Sequence, residues 1–114
     1  MRPLFLDNLI MKNALITLLM CTALHSFAND LTLGQRKAEA ACALCHGPIG
    51  IATLPNAPNL AGQQAIYLQE QLKNYRNGRR QNEVMGLIVK NLTDAEITQL
   101  ATWYSSIKVT AEAP

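Results

Sequence analysis

From Leu31 onward, apolar residues fall on a helical period in four stretches and on none in a fifth. Leu31 to Cys45 predicts a first helix, with Thr32 and Gln35 at capping-box spacing and Ala38, Ala40, Ala41 and Ala43 as strong helix formers. Gly34 interrupts it at a cost of about 1 kcal/mol relative to alanine, which predicts a site where another helix comes close. A second helix is predicted from Gln63 to Asn77, with Leu68, Leu72 and Tyr75 on one stripe and Gly78 as its stop. Asn82 to Lys90 predicts one or two turns carrying Val84, Met85, Leu87 and Ile88. Thr93-Asp94-Ala95-Glu96 is a capping box opening a last helix to Ile107, with Ile97, Leu100, Ala101 and Tyr104 on its apolar stripe and Trp103 beside it. No strand pattern or repeat is present, so the predicted class is all-α.

The stretch without a period runs from Gly47 to Gly62 and contains Pro48, Gly50, Pro55 and Pro58. A structureless segment of that length is uncommon in a compact domain unless it wraps something. Upstream of residue 29 the pattern is that of an export signal. Lys12 precedes an apolar run from Ala14 to Leu24, and Ser26-Phe27-Ala28 offers small residues where a signal peptidase reads. The expected organisation is therefore a signal at 1–28, with Met11 as an alternative start, and one domain at 29–114 delivered to the periplasm. The apolar run is short for a bilayer span, which disfavours a retained anchor, and Met20 before Cys21 disfavours a lipoprotein.

Charge changes this picture little. Residues 29–114 hold eight Lys or Arg and seven Asp or Glu, which gives no reason to expect a nucleic-acid partner. The one basic cluster, Arg76, Arg79 and Arg80, reads equally as a solvated face or a docking patch.

The chemistry lies in Cys42-Ala43-Leu44-Cys45-His46. Cys-x-x-Cys-His is the attachment signature of a c-type haem: two thiols on nearly one side of a helical turn can form thioethers with both vinyl groups, and the histidine is then held to the iron. Three rival readings exist. A thioredoxin-like dithiol needs a preceding strand, structural zinc needs four ligands, and a disulfide across so short a loop constrains little. Downstream of residue 28, Cys42, Cys45 and His46 are the only Cys or His. With His46 as one axial ligand, Met85 is the one methionine left to take the other side of the iron. Lys73 and Lys90 are weaker donors because they must first lose a proton. A vacant face would instead bind gases or peroxide, and Met85 as a core gap-filler is the bland alternative.

These residues resemble the class I c-type cytochromes, particularly the short soluble bacterial monohaem type, over nearly all of Leu31 to Ile107. Gly34, eight positions before Cys42, resembles the family glycine that packs on an aromatic of the last helix, and Trp103 looks like that aromatic. Pro58-Asn59-Leu60-Ala61-Gly62 resembles the loop in which a proline carbonyl accepts a hydrogen bond from the ligand histidine; by carry-over Pro58 orients His46. Met85 lies in the segment where the family places its methionine. In the Gly47 to Gly50 stretch, Pro48 and Ile49 depart from the family's usual polar residues.

The resemblance implies the class I fold, with its first and last helices crossing around a covalent haem c. It also implies an electron-transfer protein rather than an enzyme, with no catalytic residues, whose partners are membrane or periplasmic oxidoreductases and which is not inserted in the membrane once its signal is removed. Ile49, Ile51, Ala52 and Leu54 could form its docking patch or pack on the haem. An open-site haem protein and a relay subunit of a larger complex are the alternatives.

Overall fold

A computed structural model describes residues 29–113, together with 11 and 13. The expected export signal thus lies outside the described residues apart from those two positions. Residues 29–41 form α1. It is followed by α2 (Ala43–His46), α3 (Ala65–Arg76), α4 (Glu83–Val89) and α5 (Asp94–Ser106). Among the described residues there is no strand.

Two local expectations at the start change. Thr32 is already preceded by helical residues, so it occupies a helix interior and cannot be the N-cap of a box with Gln35. The Gln35 amide instead donates to the Glu39 carboxylate one turn on, at 3.0 Å. The predicted helix to Cys45 is also broken at Cys42, where the chain makes a turn before α2. Cys42 closes α1 by donating its N–H to Ala38 and begins α2 by accepting from His46 at 3.0 Å.

The buried core is Ala38 of α1, Leu68 of α3, and Leu100, Ala101 and Tyr104 of α5, with Ile97 and Val89 also buried. All four residues of the predicted α5 stripe are therefore inside. Burying each large aliphatic side chain stabilises the domain by roughly 1.5–3 kcal/mol. Gly34 permits α1 to meet α5: a Cβ there would overlap the Gln99 carbonyl and fall 2.9 Å from Trp103 Cβ. Polar links hold the same crossing, with the Gln99 amide donating to Asp30 at 3.2 Å and Lys37 paired with Glu96.

Glu96 serves twice, because it also completes the α5 capping box. Its backbone N–H donates to Thr93 Oγ1 at 3.2 Å, and its carboxylate accepts from the Thr93 N–H at 2.9 Å. The Lys37 ammonium and these Thr93 donors hold its pKa down from 4.5 to about 2. A folded-state pKa below the unfolded one means stability that is complete above the unfolded value and lost as pH falls through the folded one. Between pH 4.5 and about 2 the Glu96→Gln variant will therefore lose less stability than wild type in acid unfolding titrations. Parallel curves would contradict this; the carboxylate is exposed, so the difference is small.

Two of the three arginines of the basic cluster, Arg76 and Arg80, make structural ties. Arg76, at the end of α3, donates to the Leu92 carbonyl at 2.8 Å and pairs with Asp94 at 2.6 Å, joining α3 to the start of α5. Arg80 lies over the Tyr75 ring, 4.8 Å from its centroid, and donates to Gln71 at 2.9 Å. Gly78 stops α3 with φ +73°, as its position predicts.

Candidate functional site

The loop from 47 to 62 is ordered by its own backbone rather than by a helix. Gly47 and Gly50 take φ of 77° and 78°, left-handed values that suit glycine. The Gly50 carbonyl accepts from both Leu60 and Ala61, at 2.7 and 3.0 Å, which folds the far end of the loop onto its beginning. Asn59 Oδ1 accepts from the Ala52 N–H at 2.7 Å, and Gly62 donates to the Tyr104 carbonyl at 2.9 Å. Thr53 ties the loop back to the Cys motif, donating its N–H to Cys45 and its hydroxyl to Leu44.

This folding brings Pro58 to His46. His46 is 7% exposed, and its Nδ1 lies 2.8 Å from the Pro58 carbonyl oxygen. A carbonyl can only accept, so Nδ1 carries a proton, and in the neutral ring this leaves the lone pair on Nε2. That is the tautomer needed for a metal ligand. Cys42 and Cys45 flank it as free thiols, both partly buried. Burial pushes the Cys42 thiol up in pKa, opposed by the Tyr104 hydroxyl and Lys37.

The rival readings fare poorly against this arrangement. Among the described residues, no three His, Cys, Asp or Glu side chains form a group able to hold a metal ion. A thioredoxin-like site lacks its strand there. A haem suits the residues better, for two reasons. Leu44, Ile49, Ile51 and Leu54 surround the motif with large apolar side chains 42–87% exposed, which a bulky apolar group could cover. Trp103 Nε1 and the Tyr104 hydroxyl are buried with no hydrogen bond of ordinary geometry, an arrangement that costs about 1–3 kcal/mol each unless a partner is bound.

Met85 stands on a separate element. It occupies the first turn of α4, where the Asn82 side chain accepts its backbone N–H at 3.0 Å, and it is half-buried. The helix packs on α3 and leaves Val84, Leu87 and Ile88 exposed. The fold thus joins Cys42, Cys45, His46 and Pro58 directly, and holds Met85 on a neighbouring short helix. Two contributors were not singled out as site residues from the sequence. Asn59 is visible there only as part of the Pro-Asn-Leu run, and the Tyr104 hydroxyl is hidden by its place on an apolar stripe.

The Cytochrome c family model matches residues 31–108. A cytochrome c4 of Azotobacter vinelandii is 37% identical, over 90% of this chain and 54% of its own length. A thiosulfate dehydrogenase electron acceptor of Thiomonas intermedia is 44% identical, over 60% of this chain and 32% of its own. The reduced cytochrome c4 structure from Pseudomonas stutzeri aligns with a TM-score of 0.67 at 26% identity, covering 71% of this chain and 50% of that one. The chain spans about half the length of the cytochrome c4 relatives that it matches.

Proposed function

The chain belongs to the cytochrome c family, with its covalently attached haem c, and on that premise we propose that it is an exported single-electron carrier with His46 and Met85 as axial ligands. The observation that carries the reading is His46, buried with its Nδ1 side held by the Pro58 carbonyl, one position from a cysteine pair. When bound, haem supplies a one-electron iron couple.

The chain's own residues do the rest. Cys42 and Cys45 form the thioethers, and the Pro58 carbonyl fixes the imidazole and raises its basicity. Met85 offers a soft sulfur that favours ferrous iron, and Asn82 anchors the turn that carries it. Carrier function asks for no acid, base or nucleophile. Ile49, Ile51 and Leu54 are exposed, consistent with a small, weak interface for redox partners; the name of the Thiomonas relative supports an oxidoreductase as one of them.

Export rests on the Lys12 to Ala28 pattern, with the domain beginning at residue 29. No helix among the described residues is long and apolar enough to cross a membrane. Mass analysis of periplasmic protein is expected to show cleavage after Ala28.

The deciding test is an absorption spectrum of the purified protein with and without reductant, plus pyridine extraction. Covalent haem with a ferric methionine-to-iron band toward the red is expected. High-spin ferric features would replace the carrier with an open-site haem protein.

A further inference from the structure

Tyr104 is one of the most enclosed side chains of the domain, 3% exposed, and its position is constrained on several sides. Gly50 abuts the ring so closely that a Cβ there would fall 2.8 Å from Cδ1, and the Tyr104 carbonyl accepts from Gly62. The ring therefore has little freedom to swing its hydroxyl to solvent. Yet that hydroxyl makes no hydrogen bond of ordinary geometry. Cys42 packs against the same core cluster, with its sulfur in range of a loose contact to the hydroxyl.

A buried hydroxyl without a partner is costly, whereas phenylalanine would fill almost the same space without that cost. We propose that Tyr104 is a positioning residue for the haem, its hydroxyl donating a hydrogen bond to the Cys42 sulfur once that sulfur is a thioether. This rests on the haem c reading above. The free thiol sulfur can accept weakly or donate its own proton, whereas the thioether has no proton and can only accept, so attachment leaves the hydroxyl as the sole donor of the pair.

Two consequences follow for the chain. The bond fixes the side of the porphyrin carried by Cys42 against α5, linking loop, last helix and cofactor at one point. It also draws electron density from a sulfur joined to the macrocycle, which favours the reduced state, so the hydroxyl raises the potential.

The test is the holoprotein carrying Tyr104→Phe. Pyridine extraction comes first: absence of thioether-linked haem from wild type would overturn the haem c reading itself. With haem attached, the variant is expected to show a lower midpoint potential and a shifted Cys42 carbon–sulfur stretch by resonance Raman. Its iron–ligand bands should stay in place. A second comparison uses Cys42→Ala, which retains one thioether through Cys45; there the Tyr104→Phe shift in potential should vanish. A Tyr104→Phe holoprotein with unchanged potential and unchanged carbon–sulfur stretch would overturn the proposal while leaving the haem c reading intact. So would a shift of equal size in the Cys42→Ala background.

Discussion

Replacing Met85 with alanine is expected to lower the midpoint potential by on the order of 0.1–0.3 V, part of the ~0.8 V range that axial ligands command. The same variant should bind carbon monoxide when reduced, because one face of the iron is then open. The direction follows from ligand chemistry: a thioether is a soft donor that prefers ferrous iron, and water or a vacancy in its place removes that preference. The fold gives reason to expect little collateral damage. Met85 is half-buried at the exposed start of α4, whereas Val89 anchors that helix in the interior. The Asn82 cap uses the Met85 backbone N–H, which alanine retains. An unchanged potential and no carbon monoxide binding would place the sixth ligand elsewhere, and Lys90, immediately after α4, would be the next candidate.

How much of this could be read before the fold was known depends on the range of each signal. The α5 capping box was legible because Thr93 and Glu96 are three residues apart and satisfy each other locally. The Thr32 and Gln35 pair has the same spacing and failed, because a box needs a helix to begin there and the chain is already helical at residue 29. Cys42 broke the first helix where composition alone favoured continuity; the turn lets the thiol join the core cluster while His46 reaches the loop. That Gly34 marks a close approach was legible as an expensive glycine, and resemblance supplied Trp103 as its partner. The Gln99 carbonyl was not legible, since it is backbone contributed from more than sixty positions away. Arg76 was misleading for the same reason: a basic cluster in sequence became a tie to Leu92 and Asp94 in space.

Of the candidate site, the Cys42 to His46 run announces its chemistry by itself. The hydrogen bond to Pro58 does not follow from it. Twelve positions separate donor and acceptor, and the loop reaches back only because Gly50, Asn59 and Thr53 supply a set of backbone contacts that no periodicity encodes. Family resemblance bridged that gap, and the structure supplies its physical basis. Tyr104 marks the opposite limit. Its ring obeys the apolar pattern so well that the pattern conceals its hydroxyl.

The second large effect belongs to Gly34. Alanine in a helix interior normally gains about 1 kcal/mol over glycine, so propensity alone predicts that Gly34→Ala is stabilising. The packing predicts the reverse. A Cβ at this position overlaps the backbone carbonyl of Gln99 and crowds its carbonyl carbon at 2.7 Å and Trp103 Cβ at 2.9 Å, none of which is the free end of a flexible side chain. Accommodation must move α5 away from α1, loosening the Lys37–Glu96 and Asp30–Gln99 links and the core built on Ala38, Leu100 and Ala101. Overpacking of this kind costs about 1–3 kcal/mol and sometimes more. Because the overlap is with backbone, the clash belongs at the top of that range, about 3 kcal/mol, which against a gain of about 1 kcal/mol leaves an expected net loss for alanine of roughly 2 kcal/mol. At about 4–8 °C per kcal/mol for a domain of this size, that is a fall in Tm on the order of 10 °C. Gly34→Val should fall further, since it adds β-branching to the same clash. The measurement is thermal unfolding of the ferric holoprotein, followed by loss of helical circular dichroism. An alanine variant as stable as wild type, or more stable, would mean that α1 and α5 do not meet at Gly34 as closely as their backbones require here.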